Sequence, residues 1–222
     1  MSGALLVQVD HPAPMVLRGG FSCEPGQLVA LVGPSGAGKT SLLRVIAGLM
    51  VPAQARIQCG NAVWCDTQAG QWMPTSRRHV GIVFQNYALM PHLDALDNVA
   101  LALLDLPLAQ RRDKASAQLA RVGIDAVHQQ RKPQQLSGGQ QKLVALGRAL
   151  MVGSKLLLLD EPFEGVAPAL AQRLAEVISR LKDEGMAVIF SESDLQYSEH
   201  LVQKIYSIDR GAVTERALKL RL

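Results

Sequence analysis

The residues best suited to do chemistry form a glycine-rich segment early in the chain: Gly33, Pro34, Ser35, Gly36, Ala37, Gly38, Lys39, Thr40 and Ser41. All but Ser41 belong to a match to the pattern GxxxxGK[ST], which holds at every constrained position. In this pattern glycines let backbone N–H groups turn inward around phosphate oxygens, and a helix start adds partial positive charge there. We expect Lys39 to reach the β- and γ-phosphates of a nucleotide and the Thr40 hydroxyl to hold Mg²⁺. The segment therefore predicts a nucleoside triphosphate site.

The sequence on either side of this segment supports the prediction. An apolar run precedes it at 28–32, and the residues that follow are spaced like one face of a helix: Leu42, Leu43, Ile46, Ala47 and Leu49. This is the strand–loop–helix order that the motif requires. The alternative, an ordinary glycine-rich turn, does not call for that order and is less favoured.

A second apolar run ends in two carboxylates. Residues 156–159 are all leucine, and Asp160 and Glu161 follow them. An Asp at the end of a strand beside a phosphate loop is placed to hold the water shell of Mg²⁺, and the next carboxylate can orient and deprotonate an attacking water. The alternative is an acidic strand end that caps a helix. The glycine-rich loop upstream, together with Pro162 directly after, favours the catalytic interpretation.

A third candidate site begins at Ser137, which is followed by Gly138, Gly139 and Gln140. A serine before two glycines predicts a helix amino terminus with bare N–H groups and a hydroxyl directed at one point. Such a terminus is a second anion site. Taken alone, this short pattern favours an ordinary capped helix, and that alternative stays open here.

Apolar patterns elsewhere predict alternating strands and helices. Strands are expected at 5–9, 27–32, 79–84, 155–160, 186–190 and 205–208, with a short hairpin within 56–66. Helices are expected at 96–104, 113–122, 138–151 and from Pro168 to Gly185. This alternation favours the α/β class, with a parallel sheet and helices on both faces. The stretch 86–154 has the pattern of a helical lobe inserted into that sheet.

The amino-acid composition further narrows the possible classes of protein. The 222 residues suit one fairly large domain, or one domain with an inserted lobe. No apolar run approaches the roughly 20 residues that cross a bilayer, and the first ten residues do not resemble a secretory signal. The net charge of +4 is mild and the basic residues are scattered, so no nucleic-acid partner is expected. Three cysteines without CxxC spacing indicate reduced thiols rather than a disulfide framework.

Taken together, these motifs resemble the ATP-binding-cassette family, over essentially the whole chain. GPSGAGKT resembles its Walker A loop, LLLLDEP its Walker B strand, LSGGQQK its signature sequence, and Gln85 its Q-loop glutamine. The resemblance implies a P-loop NTPase fold with a mostly parallel central sheet, an N-terminal antiparallel β subdomain and an inserted helical subdomain. It also implies that residues 1–222 form a single nucleotide-binding domain, with the helical subdomain at 86–154.

The resemblance further implies an ATPase that uses ATP and Mg²⁺. Its metal would be held by Thr40, Gln85 and Asp160, with Glu161 and Gln85 catalytic. Two cassettes of the family dimerise head to tail, so residues 137–140 would bind the nucleotide of a second cassette chain. The other implied partners are integral membrane permease subunits and a solute-binding protein. The chain itself would lie at the cytoplasmic face of the inner membrane.

Several segments resemble import systems in particular. The lead-in at 131–135 resembles the importer version of the signature, and 83–92 resembles molybdate, sulfate and polyamine uptake cassettes. By contrast, 160–168 resembles branched-chain amino acid and urea uptake cassettes. The two halves of the sequence thus favour different transported solutes, so the sequence does not identify the solute. The chain leaves no room after its last predicted strand for the β-rich regulatory domain of many molybdate–sulfate relatives.

Three positions depart from the family pattern. Ala167 stands where the family usually has an Asp, Ser193 where it has a His that contacts the γ-phosphate, and no aromatic lies within 9–11 to stack on adenine. Ser193 is nevertheless our candidate for the catalytic role at that position. These departures make slow or asymmetric hydrolysis plausible. They keep two alternatives open: a catalytically weak partner in a cassette heterodimer, and a soluble cassette protein without a transport role.

Overall fold

The structure is a computed structural model that describes residues 3–12, 15–196 and 198–217. Within these ranges the strands are β1 Leu5–His11, β2 Leu17–Cys23, β3 Leu28–Val32, β4 Gln54–Cys59, β5 Ala62–Asp66, β6 Gln71–Trp72, β7 Val80–Val83, β8 Leu156–Asp160, β9 Ala187–Glu192, β10 Lys204–Asp209 and β11 Ala212–Arg216. The α-helices are α1 Lys39–Ala47, α2 Ala95–Ala100, α3 Leu108–Val122, α4 Ala126–Gln129, α5 Gly138–Leu150 and α6 Pro168–Asp183. All strands join one sheet in the order β6-β5-β4-β1-β2-β11-β10-β3-β9-β8-β7.

The core of this sheet is parallel. Strands β10, β3, β9, β8 and β7 pair in parallel, as the sequence predicts. Every residue of β3, β8 and β9 is buried, because helices or other strands cover both faces. Along β8, Leu157 and Leu159 belong to one hydrophobic cluster while Leu156 and Leu158 belong to the other. The strand pattern therefore builds two cores, one on each face.

The antiparallel part of the sheet comes mainly from the first third of the chain. Strand β1 pairs with β2 on one side and with β4 on the other, and the predicted hairpin is confirmed as β4 and β5. Strands β2, β6 and β11 were not predicted. Gly19 and Gly20 interrupt the apolar pattern of β2, and β6 has only two residues. The predicted mixed architecture, a parallel core with an antiparallel β part, is confirmed.

The connection between β6 and β7 shows that the sheet curls. These two strands lie at opposite ends of the strand order, which in a flat sheet would place them about 48 Å apart. Only residues 73–79 join them, and that stretch spans less than about 30 Å even when extended. The sheet therefore bends around helix α1, whose buried residues share one cluster with β1, β4, β5 and β8.

Helices α2 to α5 lie between β7 and β8, where the sequence predicts a helical lobe. Helix α2 begins at its cap Asp94, whose carboxylate accepts from the Asp97 N–H at 2.7 Å, and gives way after Ala100 to a 3₁₀ turn. Helix α3 starts at Leu108, five residues before the predicted start, with Pro107 as its cap residue. Among the described residues, no helix is both long and apolar enough to cross a membrane.

Candidate nucleotide-binding and hydrolytic site

The candidate site lies where four neighbouring parallel strands end. Strand β3 leads into the glycine-rich loop, β8 ends at Asp160, β9 ends at Glu192, and β7 is followed by Phe84 and Gln85. The strands are adjacent in the order β3-β9-β8-β7, and Val32 pairs with Glu192 while Asp160 pairs with Ser191. Because carboxyl ends of parallel strands share one edge, this topology collects side chains that are distant in sequence.

The glycine-rich loop has the backbone conformation of an anion cradle. Gly36 and Gly38 have φ of 78° and 104°, which L side chains rarely adopt. A Cβ at Gly33 would collide with the carbonyl oxygen of Ile208 on β10. Gly38 is also the cap of α1, and since glycine has no side chain, the first-turn N–H groups remain available to a ligand. Phosphate oxygens fit this donor set.

Lys39 brings a positive charge into the loop. It is only 4 % exposed, and its Nζ donates to the carbonyl oxygens of Gly33 at 2.7 Å and Pro34 at 3.2 Å. The same Nζ lies 3.2 Å from Oε1 of Glu161. The phosphate-binding lysine and the predicted general base are therefore direct neighbours.

Thr40 and Asp160 meet beside that pair. The Thr40 hydroxyl donates to Oδ1 of Asp160 at 3.0 Å, and the Ser191 hydroxyl donates to the same oxygen at 2.7 Å. Hydroxyl and carboxylate oxygens are the ligand types that Mg²⁺ prefers, directly or through water. Asp160 is 4 % exposed, so its orientation is fixed by these contacts. The residues present fit a magnesium ion.

Glu161 sits in a strained turn just after β8. Its φ is 50°, a left-handed value in a non-glycine residue, and its N–H donates to both the carbonyl and the hydroxyl oxygen of Ser191 at 3.1 Å. A hydrogen bond with the Glu164 carboxylate raises the pKa of Glu161, and burial raises it further. The same bond lowers the pKa of Glu164. The pKa values of these two neighbouring carboxyl groups are thus shifted in opposite directions.

Gln85 reaches this pair from the end of β7. Its Nε2 donates to Oε2 of Glu164 at 3.0 Å. An ionised carboxylate only accepts hydrogen bonds, so the amide nitrogen must face Glu164 and the amide oxygen is directed away from it. That oxygen is the atom able to coordinate a metal or an attacking water.

Ser137 and Gln140 form a reciprocal cap at the start of α5. The Ser137 hydroxyl oxygen accepts from the Gln140 N–H at 3.2 Å, and the Gln140 Oε1 accepts from the Ser137 N–H at 2.9 Å. The hydroxyl hydrogen stays free to donate to an anion. This turn opens onto a cavity of about 530 Å³ whose lining includes Gly138, Gly139 and Ala167. Within the described ranges, no hydrogen bond or ion pair joins Ser137 or Gln140 to the glycine-rich loop.

Ser193 lies at the same edge of the sheet, in an exposed bend one residue past β9. Its neighbour Glu192 is 5 % exposed and accepts from the Phe163 N–H at 2.6 Å. Burial raises the pKa of Glu192 to about 7. At this strand end Ser191 and Glu192 contact residues of the site, whereas Ser193 is exposed.

Comparison with known proteins decides the family. The sequence model described as "ABC transporter" matches residues 18–164, which include the glycine-rich loop, the capped start of α5 and both carboxylates. The chain belongs to the ABC transporter family.

Relatives of this ABC cassette are import subunits. It is 38 % identical over 198 residues to the Fe(3+) ions import ATP-binding protein FbpC 1 of Rhizobium meliloti (strain 1021), covering 88 % of this chain and 54 % of the relative. It is 38 % identical over 219 residues to the putative 2-aminoethylphosphonate import ATP-binding protein PhnT of Salmonella typhimurium (strain LT2), covering 96 % and 58 %. The chain thus spans little more than half the length of these relatives.

A solved cassette shares the fold of this ABC protein. The dimeric post-hydrolysis structure of the ATP-binding cassette MJ0796, bound to ADP and Pi, superposes with a TM-score of 0.84 at 26 % identity. The match covers 97 % of this chain and 99 % of that one. The agreement over the whole chain confirms the predicted P-loop NTPase fold.

The cassette also contains site residues that sequence reasoning missed. Glu164 lies in the loop after Walker B and accepts from Gln85, while Glu192 and Lys142 of α5 contact that loop. The available signal was a charge where the pattern calls for an apolar residue: Lys142 lies on the apolar side of α5, and Glu192 ends a strand that is apolar up to Phe190. The position expected for the adenine-stacking aromatic holds His11, whose Nδ1 accepts from the Ala53 N–H at 3.0 Å.

Proposed function

We propose that this chain is the ATP-binding and hydrolysing subunit of an ABC import system that drives solute uptake through a separate membrane permease. The observation that carries the proposal is the meeting of Lys39 with Glu161 and of Thr40 with Asp160 at one strand edge. This arrangement combines phosphate-binding, metal-binding and proton-accepting groups. Relatives named as import ATP-binding proteins support the transport role.

Each group then has a defined task. Backbone N–H groups within 33–41, where Pro34 has none, and the Lys39 ammonium bind the β- and γ-phosphates of ATP, while Thr40, Asp160 and Gln85 would hold Mg²⁺. The ion supplies positive charge that offsets the charge of the phosphates. Glu161 takes the proton of the attacking water, for which a raised pKa is useful, because a general base works best near the operating pH.

The signature residues serve a second nucleotide. Because no hydrogen bond or ion pair joins Ser137 or Gln140 to the chain's own glycine-rich loop among the described residues, we place them against the ATP of a second cassette chain. The dimeric structures of MJ0796 support the pairing of two cassettes. Residues 1–222 then act as one nucleotide-binding domain, with 86–154 as its helical part. The chain would lie at the cytoplasmic face of the inner membrane, and an integral membrane permease and a solute-binding protein would complete the system.

A second candidate function is a catalytically weak partner in a cassette heterodimer. Two observations favour it: Ser193 lies exposed past the end of β9, and Ala167 offers only its backbone to the cap of α6. The transported solute is left open, because the named relatives differ in theirs.

The test is Mg·ATP hydrolysis by the purified chain and by its Glu161→Gln variant. Glutamine keeps the shape but cannot accept the proton, so turnover should fall by about 10²- to 10⁴-fold while ATP binding survives. ATP and Mg²⁺ should then hold the variant as a dimer, measured by light scattering.

Lys39→Ala is the matched control, because it should abolish tight ATP binding and with it the dimer. Absence of hydrolysis in wild type, with and without the permease, would favour the weak-partner function. A Glu161→Gln variant that turns over normally would assign water activation to another group.

A further inference from the structure

Lys142 is a buried lysine whose ammonium group contacts the loop after Walker B. The residue is 6 % exposed and lies in the second turn of α5. Its Nζ donates to the carbonyl oxygen of Pro162 at 2.7 Å, of Glu164 at 2.9 Å and of Glu161 at 3.4 Å. An ammonium group has three donors, and all three are directed at this one loop.

The buried charge of Lys142 requires the partners that this loop supplies. Burial lowers the pKa of Lys142, which reflects the cost of holding a charge away from water. Three carbonyl oxygens and the nearby carboxylates of Glu192, Glu164 and Glu161 offset that cost. A buried charge is tolerated only with such partners, so the loop and the lysine constrain each other.

The loop is held from its other side by β9. Ser191 accepts from the Glu161 N–H, and the Glu192 carboxylate accepts from the Phe163 N–H at 2.6 Å. The β9 contacts use the N–H groups of the loop, and Lys142 uses its carbonyl oxygens. Helix α5, which supplies Lys142, also carries the capped turn at Ser137.

We propose that Lys142 is a positioning residue that fixes the loop 161–164, and with it the Glu161 carboxylate, against the signature helix α5. The inference rests on the proposed hydrolysis of ATP and adds to it a residue that touches neither nucleotide nor water. Without the ammonium group, three loop carbonyls lose a common partner and the strained conformation at Glu161 loses one of its restraints. A misplacement of the base by about 1 Å costs up to about 10²-fold in rate.

The experiment compares Lys142→Met with Lys142→Arg in the full chain. Methionine keeps an unbranched chain of similar length without the donors, whereas arginine keeps charge and donors. We expect kcat of Lys142→Met to fall by about 10- to 100-fold, with KM for ATP and the directly titrated ATP affinity unchanged. Lys142→Arg should recover much of the lost kcat. The control is Lys114→Met, an exposed position in α3 that should behave as wild type.

The outcomes separate this inference from the proposed function. Wild type that does not hydrolyse ATP would contradict the proposed function itself. Wild type that does, together with a folded Lys142→Met of equal kcat, would overturn only the positioning role, and so would a parallel loss of ATP affinity. If Lys142→Met does not fold, Lys142→Leu, which also removes every donor, takes its place, and an unchanged kcat would again overturn the inference.

Discussion

At the residue scale, the conformation of Glu161 shows how contacts around a site maintain strain. A left-handed φ in a non-glycine residue costs roughly 1–3 kcal/mol. The bonds of its N–H to Ser191 and of its carbonyl to Lys142 offset that cost. The turn directs the carboxylate back toward Lys39, whereas an extended residue would continue along β8. Strain at this position is the means by which the base reaches the phosphate loop.

Ser193 gives a prediction at the residue scale. A serine hydroxyl is shorter than an imidazole and cannot carry positive charge, so it should stabilise the charge on the transferring phosphoryl group poorly. We expect slow basal turnover and a higher kcat for Ser193→His, with ATP binding unchanged because the glycine-rich loop makes most ground-state contacts. Hydrolysis at saturating Mg·ATP measures it.

The exposed segment around Ser193 also provides a matched control variant for that experiment. Asp194→His, one residue further along the same exposed bend, is the matched control and should leave kcat at the wild-type value. If Ser193→His is no faster than a briskly hydrolysing wild type, another residue fills this role, and the buried Glu192 is the nearest candidate.

At the scale of elements, the end of β9 predicts a pH dependence of stability. The pKa of Glu192 is raised by burial from 4.5 to about 7. The native state therefore binds more protons than the unfolded state between these values, so this group's contribution to stability is lost as pH rises from about 4.5 to 7. Glu192→Gln keeps an acceptor for Phe163 and removes the charge. We expect it to gain up to about 3 kcal/mol over wild type at pH 8 and nothing near pH 4.

Denaturant unfolding at several pH values measures this difference. Glu176→Gln on the exposed side of α6 is the control, and its stability should follow that of wild type. A Glu192→Gln variant whose stability differs from wild type by a constant amount at every pH would show that the carboxyl group does not titrate in this window.

Strands and helices were predictable where a local pattern of apolar residues determined them. Runs such as 28–32 and 156–159 are apolar throughout because both of their faces are buried, and the motifs that follow them identify the strand edge of the site. Strand β2 was missed because its glycines hide the alternation, and β11 because only Val213 is buried on it. The roles of Lys142 and Glu192 depend on tertiary contacts with one loop, and no local spacing in the sequence reports those contacts.

At the scale of the whole molecule, Arg78 ties the antiparallel end of the curled sheet to α1. It is 1 % exposed, and its guanidinium donates to the carbonyl oxygens of Val45 and Ile46 on α1 and of Trp64 on β5. Its Cζ also lies 4.5 Å from the ring centre of Trp72. Burial lowers its pKa to about 10, a value at which it remains charged at neutral pH.

We therefore expect Arg78→Met to destabilise the protein by at least about 3 kcal/mol, because several buried carbonyl groups lose a charged donor together. Thermal or denaturant unfolding measures the loss. The adjacent Arg77→Met is the matched control, since Arg77 is exposed and should cost little. Equal stabilities for the two variants would show that water replaces the guanidinium without cost.

The curl of the sheet also determines how the molecule opens. Helix α1 is enclosed between the antiparallel strands and β8, so we expect the amide protons beyond its first turn to exchange with solvent only when those strands separate from β8. Helices α2 and α3 pack on α5, and α4 packs on α2 and α3, so their amide protons can exchange through smaller local openings. The phosphate-binding helix thus belongs to the slowest-exchanging part of the chain, and the helical part between β7 and β8 can fluctuate while the nucleotide cradle stays formed.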